Sequence, residues 1–445
     1  VNLLEKIGWY YRNHGLGALI GRVALGKRAA AIPLQSQEHE ILPPGEEIEP
    51  FQVCPPVVED KATPASQMLR ERYPLTQPLP VYTAPGPVAR INLVTDSISS
   101  GSLFGGVGTA IILATLLAKR CGAKLRIVTR TEAPDEAGFA QVIECNNIDY
   151  VENVEFAHVD ISDQSAQLDV CEGDRFLTTS WWTTASTLES VPANKVDYLL
   201  QEDERMFYPY GDDWLRCSEV LERTDIRFLI NSELLYKHLI GSGLTHLLTR
   251  ARWFEPAFPE SVFGTRKGIS NGRKRRLFFY ARPNNLRNLF FRGLEVLDKA
   301  VASGILDALD WEVVFVGKDV PKVLLGGVLE PTVLPIMDWR EYGKFIASVD
   351  IGFCLMCTPH PSYPPLDLAS SGALVLTNRL GLKQTLRQYS DNIICVNPSV
   401  SGLLDGLSAA IAAVGTLRPH DSAADGNRIS RSWADSLDAV VEYLR

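Results

Sequence analysis

INLVTDSISSGSLFGGVGTAIILATLLAKR (91–120) is the stretch that decides the fold class. INLVTD (91–96) is a short β-rich run of strand length and reads as a buried strand. Gly105, Gly106 and Gly108 form a glycine-rich turn, and GVGTAIILATLLAKR continues as a helix. Buried strand, tight turn and helix in that order open a parallel, doubly wound sheet.

The alternation continues outward. LRIVTR (125–130), RFLTTS (175–180), KVDYLLQ (195–201) and DIRFLIN (225–231) are further strands, each followed by a turn or a helix-compatible stretch. Residues 256–275 break the pattern with Pro, Gly, Ser and a GRKRR cluster and read as a linker, the basic cluster being a solvated strand entrance. A second run follows: RLFFYAR (276–282), a helix through 301, WEVVFVG (311–317), VLEPTVLP (328–335) and a helix near 339–348. IGFCLMC (351–357), a helix opening at Pro365, ALVLTN (373–378) and the amphipathic RSWADSLDAVVEYLR complete it. The predicted fold is α/β, with two Rossmann-like doubly wound domains over 91–255 and 276–427 facing across a cleft. A helix over 428–445 crosses back to the first of them.

The ends frame this reading. Residues 1–90 form a helical and extended segment. Within 1–31, Leu3, Leu4, Ile7, Tyr10, Leu19, Ile20 and Val23 share roughly one side, and five cations accompany the single carboxylate Glu5. Such a helix can lie on an anionic membrane surface; packing on the body with a solvated basic face is the favoured alternative. Residues 32–90, rich in Pro and Glu, read as an extended connector.

Composition narrows the function. Over 445 residues, 46% hydrophobic and 22% charged content are those of a soluble globular protein, and a net charge of −9 argues against a nucleic-acid binder. Eight cysteines without a framework suit a reducing cytoplasm. Cys354 and Cys357 form a C-x-x-C inside an apolar strand, with no second pair at zinc spacing. No window of 18 uninterrupted apolar residues suggests a membrane span, and the opening segment lacks a signal peptide's apolar core and cleavage site. The chain opens on Val, a start expected of a piece of a longer protein.

Doubly wound sheets bind ligands at the carboxyl ends of their strands. After the first strand, Gly105 and Gly106 let backbone approach a ligand, and the helix start favours an anion. A dinucleotide dehydrogenase would end its second strand on an acidic residue; here it ends on Thr129 and Arg130. In FYARPNNLRNLF (279–290), Arg282 and Arg287 span a strand-to-helix turn and can converge on phosphate oxygens. In CTPHPSYPPLDLASSGALVLTN (357–378), Pro364 and Pro365 open a helix whose free amides near Ser362 and Tyr363 aim at the cleft. Asp367 falls in that first turn, either stabilising the helix dipole or accepting a sugar hydroxyl. Gln201, Glu202, Asp203 and Glu204 follow a strand as a cluster that holds a metal, binds a sugar acceptor or is simply solvated, and no convincing D-x-D metal motif accompanies it. Trp182 either stacks on a sugar ring or packs.

These residues carry a resemblance. Arg282-x4-Arg287 resembles the Arg-x4-Lys pair that retaining family 4 glycosyltransferases of the GT-B fold use on the nucleotide diphosphate. PPLDLASSGALVLTN resembles their P-x-x-E-A-x-A-x-G-x-P-V element, with Asp367 at the second Glu. YLLQEDERMFYP, FLINSELLYKHL, FYARPNNLRNLF and HPSYPPLDLASSG are similar to bacterial rhamnosyltransferases that build surface polysaccharides from dTDP-L-rhamnose. The similarity spans about residues 90–445. It implies a retaining, metal-independent transferase with no cofactor beyond its dTDP-sugar donor. The acceptor would be a glycan or lipid-linked oligosaccharide, and the site cytoplasmic, at the inner face of the membrane. Arg282, Arg287 and His360 would be catalytic, with Gly105, Gly106, Gly317, Leu334, Ser362, Tyr363 and Asp367 on the donor and the nucleobase near 334–336. Trp182 and residues 201–204 would meet the acceptor. The family's first Glu is replaced by His360, a departure that disfavours donors such as UDP-glucose. The alternatives are a non-catalytic carbohydrate- or nucleotide-binding module and an NADP-dependent oxidoreductase using Gly105–Gly108 and Arg130.

Overall fold

The computed structural model of the protein describes residues 63–99, 103–150, 153–163, 165–264, 273–334, 337–416 and 426–445. The basic segment 1–31 therefore lies outside the described residues. Val1–Pro74 and Leu75–Arg445 are separate compact units. In the first, helix α1 (Ala65–Arg72) starts after Pro64, and the Tyr73 amide closes it on the Leu69 carbonyl. Part of the expected extended connector is thus helical; Gln67 and Glu71, four apart and bonded at 2.9 Å, support the turn.

In the second unit, β1 (Val81–Thr83) pairs with β5 (Leu168–Val170) in a small parallel sheet. The N-terminal half is built on β2 (Arg90–Thr95), α2 (Gly108–Cys121), β3 (Lys124–Thr129), α3 (Glu136–Cys145) and β4 (Glu155–His158). It continues with β6 (Arg175–Thr178), α4 (Trp181–Leu188), β7 (Val196–Leu200), α5 (Asp212–Leu221), β8 (Arg227–Asn231), α6 (Glu233–Gly241), α7 (Leu247–Arg250) and β9 (Ala251–Phe254). The seven strands run parallel in the order β4-β3-β2-β6-β7-β8-β9. The C-terminal half contains β10 (Arg275–Ala281), α8 (Phe290–Ala302), β11 (Trp311–Gly317), β12 (Thr332–Leu334), α9 (Trp339–Ile346) and β13 (Ile351–Phe353). Helix α10 (Tyr363–Ser370), β14 (Leu374–Asn378), β15 (Ile393–Val396), α11 (Val400–Thr416) and α12 (Trp433–Leu444) follow. Its parallel order is β12-β11-β10-β13-β14-β15. Two doubly wound sheets of this kind are the expected GT-B architecture.

Local chemistry sets the element ends. Helix α2 stops at Gly122, whose φ of 60° admits the left-handed cap that an L side chain resists. Helices α4 and α9 each open with a capping box, Ser180 with Thr183 and Asp338 with Glu341. Strands β2 and β7 are buried along their whole length, including the polar side chains of Arg90, Asn92, Thr95 and Asp197.

One hydrophobic cluster covers the outer face of each sheet, and a third runs between the halves through Phe258, Val262, Phe263, Trp339 and Trp433. Ala257, Phe258, Val262 and Phe263, within the expected linker, are thus core, where burying each large apolar side chain contributes about 1.5–3 kcal/mol. The basic cluster behaves as a strand entrance: Arg273 pairs with Asp350 at 3.1 Å and Arg276 with Glu312 at 2.8 Å. Helix α12 packs on α2 and β9 of the N-terminal half. There the Trp433 indole N–H donates to Asn146 at 2.9 Å, and Arg120 pairs with Asp438 at 2.6 Å. The buried tryptophan does most of this anchoring, since exposed ion pairs contribute little. No helix of the described residues is long and apolar enough to cross a membrane.

Candidate active site between the sheet ends

Side chains from the carboxyl ends of the two sheets meet. On the C-terminal side, Arg282 ends β10 with its guanidinium exposed, while its amide donates to the Asn288 carboxamide at 2.8 Å. Asn285 caps the short turn that follows, accepting from the Arg287 amide at 3.1 Å. The Arg287 guanidinium lies 4.3 Å above the Phe207 ring and donates to Glu202 at 2.6 Å. The two arginines flank one turn as expected, but in this state only Arg282 presents its cation to solvent.

The acidic run after β7 is not a solvated loop. Gln201 donates to the Gly106 carbonyl at 2.7 Å. Glu202 accepts from Arg287 and, at 2.5 Å, from the Thr358 hydroxyl; burial pushes its carboxyl up while the Arg287 charge opposes. Burial would also raise Asp203, but hydrogen bonds from His238 and Arg205 pull it down to about 2. Glu204, under the Trp181 amide at 2.8 Å, is pushed by burial to about 8 and is protonated at neutral pH. Asp203 and Glu204 are therefore occupied internally, which corrects their expected contact with an acceptor. Trp182 is occupied too: its indole N–H donates to both carboxylate oxygens of Asp96 at 2.9 Å, and it meets Trp181 edge-on at 6.0 Å. It orients Asp96 rather than offering a free stacking face. Asp96, one residue past β2, escaped the sequence reading although the strand-end rule points to it; burial raises its pKa, against the Trp182 hydrogen bond.

The glycine turn before α2 is not an open phosphate cradle. Gly105 has φ +71°, and a Cβ on it would lie 3.1 Å from the Tyr363 ring; one on Gly106 would lie 3.1 Å from the Gln201 amide. Tyr363, at the start of α10, fills the turn. Its hydroxyl lies 2.5 Å from the Thr109 hydroxyl, 2.6 Å from the Asn231 amide and 3.3 Å from Gln201. The helix opens at Tyr363, two residues before Pro365, from Ser362 at a φ of 72°. Asp367 consequently sits beyond the first turn, correcting the dipole explanation. Gly317 is also reassigned: a Cβ there would lie 1.7 Å from the Ala281 carbonyl oxygen, so strand approach rather than nucleotide approach demands glycine. Leu334 ends β12, half-buried, and residues 335–336 lie outside the described residues.

His360 is buried, and burial together with the Lys383 charge drives its pKa down to about 3. Its Nδ1 accepts from the Ser362 amide at 2.9 Å, which leaves the proton on Nε2, and Nε2 has no hydrogen-bond partner. His360 is thus a neutral donor, not the acid or base that a catalytic assignment suggests. Lys383, which no sequence pattern marked, is completely buried; its ammonium lies 3.3 Å from the Met356 carbonyl and 3.5 Å from that of His360. Burial lowers it to about 8, against the attraction of Glu202. A buried lysine this poorly paired points to a functional site.

Beneath Tyr363 lies a small cavity of about 20 Å³, walled by Phe258, Phe263, Trp339 and Asp367. Asp367 accepts from the Tyr342 hydroxyl at 3.0 Å, and burial pushes its carboxyl to about 8. Its folded pKa is raised, so the folded state holds a proton that the unfolded chain loses at about pH 4, and stability falls as pH rises from there to about 8. Asp367→Asn removes this term. Thermal melts should show the variant above wild type at pH 8 and converging with it toward pH 4; parallel curves would contradict the raised pKa. Among the described residues no group of His, Cys, Asp and Glu could hold a metal ion.

Comparison with known proteins agrees with the two-sheet division. Residues 90–226 match the family described as WsaF, N-terminal domain, and residues 275–408 the family described as WsaF, C-terminal domain. The O-antigen biosynthesis protein RfbC of Myxococcus xanthus is 31% identical over 275 residues, 61% of this chain; the chain spans only 20% of that protein. Similar solved structures include Anabaena Alr3699/HepE in complex with UDP-glucose, at TM-score 0.49 and 12% identity over 80% of this chain and 94% of that one. WaaG, a glycosyltransferase involved in lipopolysaccharide biosynthesis, has TM-score 0.47 and 11% identity over 72% and 90%. The two stretches similar to the WsaF domains thus fall one on each of the two sheets.

Proposed function

We propose that the protein is a retaining, metal-independent glycosyltransferase that moves L-rhamnose from dTDP-L-rhamnose onto a growing bacterial surface glycan. The observation that carries the transferase reading is the cation pair Arg282 and Arg287 on the turn after β10, where Arg287 meets Glu202 of the other half. The acceptor oxygen bonds to the anomeric carbon as the bond to the diphosphate breaks; the electron pair leaves with the diphosphate, and the acceptor hydroxyl's proton passes to the departing phosphate oxygen on the same face. Arginine forks and helix amides stabilise that departing charge without a cation. In this reading the nucleobase lies near residues 334–336, and Asp367, pushed by burial to about 8 and so protonated at neutral pH, donates to one ribose hydroxyl once donor binding opens the small cavity beside it. Deoxyribose in dTDP offers one such hydroxyl in place of a diol. The matched WsaF domains and the RfbC relative support a role in polysaccharide assembly. The NADP reading fares worse: Tyr363 fills the glycine turn, and Arg130 is 1% exposed and bonded to Ser186.

Calorimetry in excess EDTA tests this reading. dTDP-L-rhamnose should bind with an advantage of about 1–3 kcal/mol over UDP-glucose, the scale of one unsatisfied polar group. Equal affinities would remove the rhamnose assignment, and binding or turnover that returns only with Mg²⁺ or Mn²⁺ would remove metal independence.

A further inference from the structure

Glu202 belongs to the N-terminal half, yet both its oxygens are held by the C-terminal half. One accepts from Arg287 at 2.6 Å and the other from the Thr358 hydroxyl at 2.5 Å. Thr358 in turn accepts from the His360 amide at 3.0 Å, and Lys383 adds positive charge from behind. The carboxylate is only 14% exposed and faces donors of the other half. A two-oxygen anion bridging a guanidinium and a hydroxyl is the arrangement that a phosphate group also adopts.

We propose that Glu202 occupies, in the donor-free protein, the place of the donor's diphosphate. Donor binding then frees its carboxylate for the acceptor hydroxyl and makes the donor bind first. The proposal rests on the nucleotide-sugar reading above. Its energetics follow from the exchange. A buried pair returns little net free energy, whereas stripping one partner is costly. Replacing Glu202 by phosphate never leaves Arg287 without an anion, so the swap avoids that cost. The released carboxylate stays at the end of β7, beside the donor and on the side where an acceptor must arrive, and there it accepts a hydrogen bond from the attacking hydroxyl. Until then it is engaged, and an acceptor that comes first finds no partner.

Glu202→Gln separates this role from a structural one because the two expected effects have opposite signs. Inorganic pyrophosphate, which has neither base nor sugar, should bind the variant more tightly by calorimetry, on the order of tenfold. Turnover should fall and the acceptor KM should rise. Glu202→Asp, too short to span both partners, should shift pyrophosphate affinity the same way by less, and it covers the case in which Glu202→Gln folds poorly. Unchanged or weaker pyrophosphate binding in a folded variant overturns the proposal while leaving the transferase reading intact. Failure of wild type and variants alike to bind pyrophosphate or any nucleoside diphosphate overturns both.

Discussion

Arg287→Ala should lose donor use and part of the fold's stability together, whereas Arg282→Ala should lose donor use alone. Either substitution removes a charged donor from the departing diphosphate, an effect of about 10²–10³ in turnover when such a donor acts mainly in the transition state. The stability arm differs because the partners differ. Arg287 is paired with Glu202, and both are largely buried, at 20% and 14% exposure. Removing one member of a fully buried pair costs about 3–5 kcal/mol, and this partly exposed pair should fall below that. Arg282 is exposed, with only a 3.4 Å approach to the Tyr280 hydroxyl, so its loss should leave the melting temperature unchanged. Lysine at either position should do intermediate harm to turnover, since a point charge does not copy a planar fork. Near-normal turnover and donor affinity in both alanine variants would end the diphosphate assignment.

The contrast between these arginines also marks how far sequence reading reaches. The turn that carries both was legible, because FYARPNNLRNLF puts them just beyond a buried run. Arg287's partner was not: Glu202 lies 85 residues away and looks like one acid in a polar loop until the fold brings it across. Strands buried on both faces stood out as short β-rich runs, while three-residue β1 and β5 give too little pattern to detect. Lys383 and Tyr342 follow no motif; their meaning lies in complete burial and in what they touch. Residues 257–263 read as linker because Pro, Gly and Ser dominate nearby, yet Phe258 and Phe263 stack edge-on at 5.2 Å within the central core. Composition reports what a segment contains, not whether another segment covers it.

Glycines show the same limit most sharply, and Gly317 offers the clearest test of it. As a residue that lets a nucleotide approach, it would tolerate alanine in the empty protein and fail only when the donor arrives. The structure gives a different cause. Gly317 is paired with Ala281 across β10 and β11, and an added Cβ would sit 1.7 Å from the Ala281 oxygen and 2.6 Å from its carbonyl carbon. Both are backbone atoms, so no side-chain rotation relieves the clash and the strand ends must separate. Overpacking of this kind typically costs about 1–3 kcal/mol, and a backbone obstacle belongs at the upper end or beyond. The displaced segment leads directly into Arg282, so the damage passes to the anion site. Gly317→Ala is therefore expected to lower the melting temperature of the ligand-free protein by several degrees and to weaken pyrophosphate binding in proportion. A variant that melts like wild type yet rejects the donor would return Gly317 to the nucleotide.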